Sequence, residues 1–232
     1  MVLRRRSPTR HGAYEPVPST VGATTSARGS GEIETFVLTK ALILRSLAAV
    51  YAVAFVGAYF QNVPLIGAEG LVPAAPYFAS LVAENDAQGG TAIDGFAAHP
   101  AIWWWLPLTD RSLEGTAAAG VALSLVACVL ACDWMVVWIC LWLLYFSHVT
   151  AAEPSSFYSY GWESQLLETG FLTIFLCEVP FLSTWICRRG AATSKLPPSR
   201  VVLWLFRWLC FRISIGAGLI KVHFGAHSVL RR

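Results

Sequence analysis

The stretch Tyr160-Gly161-Trp162-Glu163-Ser164-Gln165-Leu166-Leu167-Glu168-Thr169-Gly170-Phe171-Leu172-Thr173-Ile174-Phe175-Leu176-Cys177-Glu178 decides how the chain is read. It is mostly apolar and about long enough to cross a bilayer. It nevertheless carries Glu163, Gln165, Glu168 and Glu178. A carboxylate in hydrocarbon is costly unless a partner offsets it. Three of them in one segment predict cations on a neighbouring one. The last apolar segment, from Arg207 to Lys221, supplies Arg207, Arg212 and Lys221. These two segments are expected to lie side by side, with the others built round them.

Composition points the same way. Of 232 residues, 56% are hydrophobic and 13% charged, and there are ten tryptophans. Soluble domains carry about 25% charged residues. The apolar runs are continuous rather than alternating, which argues against an outer-membrane barrel. The fold class read here is therefore all-α: a polytopic helical membrane protein with about five transmembrane helices. A net charge of +3, unevenly placed, is read as topology and not as nucleic-acid binding. Six cysteines (Cys128, Cys132, Cys140, Cys177, Cys187, Cys210) all lie in or beside apolar runs, so they read as small buried residues rather than a disulfide framework.

Taken in order, residues 1–35 read as a disordered, basic cytosolic tail containing Arg4, Arg5, Arg6, Arg10 and Arg28. No apolar core follows those arginines closely enough for a cleavable signal peptide. Residues 36–221 read as a transmembrane helical domain. Its first span covers about 36–60, with Lys40 and Arg45 snorkelling toward the tail side, and Gln61, Asn62 and Pro64 end it. Residues 61–114 form a long lumenal loop with six carboxylates and Arg111 as its one Lys or Arg. Trp103-Trp104-Trp105 within it reads as an interfacial belt or a short helix lying on the membrane. Residues 115–152 suit two short spans with a turn at Asp133, and a single kinked helix is the rival. His148 near its end reads as hydrogen-bonded packing. Spans four and five cover about 164–187 and 201–220. Residues 222–232 form a short C-terminal tail.

Both the tail and the loop at 188–200 are basic. Five spans place both in the cytosol, as the positive-inside rule requires. Merging 115–152 into one span would put them on opposite sides. With spans four and five antiparallel, depths compare at about 1.5 Å per residue. Glu168 then meets Lys221 or Arg212, and Glu178 meets Arg207. Such pairs, with Gln165, either set helix register or form a carboxylate-lined site for proton or substrate transfer. Glu163, Glu168 and Arg212 in one lumen-facing cavity would serve a membrane enzyme or transporter.

There is no G-x-S-x-G elbow, P-loop or H-E-x-x-H motif. His223 and His227 sit four apart without a nearby third metal ligand. Neither Asn62 nor Asn85 begins a glycosylation sequon. No catalytic residue, metal or cofactor is assigned. The candidates, structural or functional, are Trp162, Glu163, Gln165, Glu168, Glu178, Arg207, Arg212 and Lys221.

The runs Tyr160–Glu178 and Arg207–Lys221 resemble the lipase maturation factor family closely and at length, and Gln61–Pro73 resembles a third family stretch in the right order and spacing. The resemblance covers roughly residues 35–225. It implies a multi-pass membrane protein of the endoplasmic reticulum with a cytosolic N-terminus. Such a factor acts as a chaperone in the secretory pathway, assisting folding and assembly of secreted clients such as lipases, and is not an enzyme. Its expected partners are the lipid bilayer and those clients, with no nucleic acid. Family members continue into further spans and a large lumenal domain, which is missing here. This chain then corresponds to the N-terminal membrane portion, or to a truncated, non-functional product.

Overall fold

A long apolar run in lipid must satisfy its backbone internally, and a helix does so within one segment. The computed structural model describes residues 23–158, 161–177 and 199–230, and the side chains of 23–35, 37, 156 and 220–230 lie outside that description. Two units are distinguished, Met1–Thr35 and Phe36–Arg232. Everything below concerns the second unless stated. The helices are α1 (Ala23–Ile66), α2 (Ala74–Ala87), α3 (Ala92–Ala98), α4 (Asp110–Leu130), α5 (Met135–Ala151), α6 (Gly161–Leu176) and α7 (Arg200–Leu230). Single 3₁₀ turns sit at Ile102–Trp104 and Ser156–Tyr158. No strand occurs among the described residues.

Among the described residues, three segments are long and apolar enough to cross a membrane: Leu38–Ile66, Asp110–Leu130 and Arg200–Leu219. A fourth, α5, is apolar and 17 residues long, at the short end of the spanning range. The described part of α6 is 16 residues long. The chain is an all-α, multi-pass membrane protein.

The alternatives for 115–152 are now separated. α4 ends at Leu130, and Ala131 adopts a left-handed conformation with φ 47°. Cys132 N–H closes back on Ala127 C=O at 3.0 Å, and the Trp138 indole donates to Cys132 C=O at 3.0 Å. A four-residue connection returns the chain as α5, antiparallel to α4. Two helices with a turn around Asp133 replace the single kinked one.

Other expectations change. Helix is already present at Ala23, inside the stretch read as a disordered tail. α1 runs past Asn62 to Ile66, because a proline's missing N–H and clash fall on the preceding turn and Pro64 sits in the last one. The 61–114 segment is not a bare loop: it builds α2 and α3. α7 continues to Leu230, beyond the expected end of span five.

The tryptophan belt is also corrected. Trp103 is buried, and its indole donates to Ser147 C=O at 2.7 Å. Trp104 packs edge-on to Phe78 and donates to His99 C=O at 2.9 Å. Only Trp105 is largely exposed. Two indole N–H groups with intramolecular partners favour a packed core over an interface.

Two cores result. The main one joins Leu44, Leu47, Tyr51 and Phe55 of α1 to Trp138, Leu141 and Tyr145 of α5 and Leu166, Leu167 and Ile174 of α6. Lipid gives little hydrophobic drive between helices, so close packing at small residues matters. Gly120 lies against the Phe55 ring, and Gly170 lies against the Tyr51 hydroxyl. The second core, at the other end, joins Ile66, Phe78, Trp103, Leu113 and Ala151.

Candidate functional site

A cavity of about 730 Å³ runs between α1, α6 and α7, closed at one end by the 3₁₀ turn at 156–158. Along α1 its lining extends from Leu47 to Leu65, a length of roughly 27 Å at 1.5 Å per residue. Its walls are apolar through Val50, Val53, Gly57, Leu166 and Ile213. Most of its polar groups gather toward one end (Gln61, Tyr145, Tyr158, Trp162, Glu163 and Gln165), with Thr169 further along α6.

Glu163 is 4% exposed although it lines this cavity. It sits in the first turn of α6, where the helix dipole favours a carboxylate. Tyr145 of α5 donates its hydroxyl to Glu163 Oε2. No cation pairs with Glu163 among the described residues.

Beside the cavity runs a continuous set of hydrogen bonds. Tyr158 O–H donates to Asn62 Oδ1 at 2.5 Å. The Asn62 amide N–H donates to His148 Nδ1 at 2.9 Å. His148 is thereby fixed as the Nε2–H tautomer, which faces Thr116 Oγ1 at 3.3 Å. Thr116 passes its own proton to Ser112 C=O at 2.7 Å. One chain of donors thus ties the 156–158 turn, α1, α5 and α4. His148 and Asn62 are almost fully buried, so each bond offsets a desolvation cost. Burial, with the Glu163 charge, pushes the Tyr158 hydroxyl above its usual range and keeps it a donor.

Ion pairs fasten two other points. Arg212 of α7 contacts the Glu168 carboxylate of α6, both about half exposed. Lys40 of α1 contacts Asp133 at 2.6 Å, at the end of the bundle opposite His148. Outside the spans, Tyr77 of α2 donates to Glu153 at 2.9 Å. Burial and that carboxylate raise the Tyr77 pKa to about 12.

Of the residues singled out from sequence, Trp162, Glu163 and Gln165 come together in the cavity. Glu168 and Arg212 pair with each other and do not line it, so a single site of Glu163, Glu168 and Arg212 is not formed. Arg212, rather than Lys221, is the observed partner of Glu168; the Lys221 side chain is outside the described residues. So is Glu178, and with it the expected Glu178–Arg207 pair. Arg207 is exposed on α7. Among the described residues no group of three His, Cys, Asp or Glu could hold a metal.

Residues 38–228 match the family described as the lipase maturation factor transmembrane domain. The chain belongs to the lipase maturation factor family. It is 44% identical over 190 residues to lipase maturation factor 1 of Bos taurus, covering 81% of this chain and 32% of that protein. Lipase maturation factor 1 of Homo sapiens is 42% identical over 81% of this chain and 32% of its own length. Lipase maturation factor 2 of Rattus norvegicus is 31% identical over 78% of this chain and 25% of its own length. The chain thus spans about a third of the curated relatives it matches, or less. No solved structure matches.

In this lipase maturation factor domain, sequence reasoning missed Tyr145, Tyr158 and Asn62 as site residues. A tyrosine in an apolar run gives no polar signal until its hydroxyl is seen to have a partner. Asn62 was visible as an uncharged amide at a helix end, where capping explains it equally well. Asp133 was read as a turn residue, and its pairing with Lys40 requires knowing that α1 and the α4–α5 turn share one end.

Proposed function

We propose that this chain is the membrane-embedded portion of a factor that matures secreted lipases in the endoplasmic reticulum, acting as a folding and assembly chaperone and not as an enzyme. The observation that carries the reading is the match of residues 38–228 to relatives named as lipase maturation factors. In this reading the tail and the 188–200 segment face the cytosol, which their arginines and lysines favour. The 61–114 segment and the 153–163 connection then face the lumen. Lys40–Asp133 and Glu168–Arg212 hold helix register, a use that matched opposite charges support.

The test is a chimera. Residues 38–228 replace the corresponding membrane region of bovine lipase maturation factor 1, in cells lacking the endogenous factor. Secreted active lipase is measured. Restored secretion supports the reading; a chimera that is abundant in the membrane yet restores none overturns it. A second reading, a membrane enzyme or transporter, draws on Glu163 lining a cavity. It requires Glu163→Gln to abolish function at unchanged abundance.

A further inference from the structure

The cavity between α1, α6 and α7 has the polarity of an amphiphile. One end gathers a carboxylate and aromatic rings; the rest is a mostly apolar trough parallel to the helices. At the polar end Glu163 holds one hydrogen bond, from Tyr145 through Oε2. Its Oε1 is not among the buried polar atoms lacking a partner, so it is open to the cavity. Around it stand the rings of Tyr145, Phe157, Tyr158 and Trp162. A carboxylate sharing a cavity with several aromatic rings is the chemistry that recognises an ammonium group, by charge and by cation–π attraction. This cluster lies at the end of the bundle where α1 finishes and α6 begins, the end at which the headgroup of a lipid lying along α1 would sit. From there the trough follows α1 toward Leu47, roughly 27 Å away, which is ample for one acyl chain.

We propose that this cavity binds a phospholipid bearing an ammonium headgroup, with the ammonium against Glu163 and the aromatic rings and one acyl chain along Val53 and Gly57. The lipid bridges α1, α6 and α7 where protein packing alone leaves a gap. A neutral or anionic headgroup would leave the Glu163 carboxylate without a counter-charge.

The full chain is reconstituted in vesicles of equal phosphatidylcholine and phosphatidylglycerol. Trace diazirine-acyl phosphatidylcholine or phosphatidylglycerol is photolysed, and labelled peptides are mapped. Labelling of α1 within 47–65 by the choline lipid is expected to exceed that by the glycerol lipid roughly fivefold or more. Glu163→Gln should bring the ratio near one, and Trp162→Ala, at an exposed rim position, should lower it. Gly57→Leu puts a side chain into the trough, and its Cβ meets nothing within 4 Å. It should abolish labelling of the groove by both lipids. Equal labelling by the two lipids in the unsubstituted protein overturns the proposal. So does Gly57→Leu labelling like the unsubstituted chain, or cross-linking of α1 47–65 to a second copy of the chain in place of lipid.

Discussion

Lys40 Nζ on α1 lies 2.6 Å from Asp133 Oδ2 in the turn that joins α4 to α5. The lysine side chain is 6% exposed and the aspartate 21%. A shielded pair of this kind is weak evidence for net stability, but breaking it from one side strands a charge at a cost on the order of 3 kcal/mol. Lys40→Met removes the cation and leaves the Asp133 carboxylate, whose Oδ1 has no hydrogen-bond partner among the described residues, without this ion pair. It should lower the thermal midpoint in detergent by roughly 10 °C. Exchanging the residues, Lys40→Asp with Asp133→Lys, should recover part of the loss. A double variant no better than the singles would show that the pair does not hold α1 to the turn.

Gly170 faces Tyr51 across the main core. A Cβ on Gly170 would lie 1.9 Å from the Tyr51 hydroxyl, so Gly170→Ala must displace a packed ring. Overpacking of this sort costs about 1–3 kcal/mol. Among the described residues the Tyr51 hydroxyl has no hydrogen-bond partner. Tyr51→Phe should therefore be neutral or stabilising. It should also relieve part of the Gly170→Ala defect, because the oxygen is the nearest atom. A double-mutant cycle on thermal midpoints measures the coupling; strict additivity would contradict the contact.

Asn62 stands in the middle of the donor chain from Tyr158 to Thr116. Asn62→Leu leaves the Tyr158 hydroxyl and His148 Nδ1 without their partners. At about 1–3 kcal/mol for each buried group, the loss should be at least about 2 kcal/mol. Hydrogen exchange should quicken at both the 156–158 turn and the α4 start. Unchanged exchange at the turn would mean that the chain of bonds does not fasten it.

How much of this was legible follows from what each residue needs to be noticed. The spans were visible because the apolar runs are long and lipid admits few backbone solutions. Depth alone narrows the partner of Glu168 to Lys221 or Arg212, since all three stand out as charges in apolar helices, and the structure selects Arg212. The 61–114 segment was under-read. Its helices are short, and Trp103 and Trp104 look like interface anchors until Ser147 and His99 are found accepting their indole protons. The cavity was invisible because its walls come from α1, α6 and α7, and no local pattern reports a gap between distant helices.

Asp94 and Thr91 form a capping box at the start of α3. The Thr91 backbone N–H, then its hydroxyl, hold the Asp94 carboxyl below its ordinary value. A lowered folded pKa means that the box contributes stability above the unfolded pKa, and that this contribution is lost as pH falls through the folded one. Local exchange at α3 should accordingly rise on acidification below the ordinary carboxylate range. Asp94→Asn should remove that dependence. An identical acid profile in the variant would assign it to another group.

The orientation of the bundle can be measured with two single substitutions. Gly89 sits at φ 71°, with no atom within 4 Å of an added Cβ, and asparagine tolerates that conformation better than other side chains do. Gly89→Asn creates a sequon with Gly90 and Thr91, and Ala191→Asn creates one with Ala192 and Thr193. Expressed in cells and assayed by glycosidase-sensitive mobility, Gly89→Asn should carry an N-glycan and Ala191→Asn should not. Glycan at Ala191→Asn and none at Gly89→Asn would contradict a factor whose 61–114 segment faces the lumen where lipases fold.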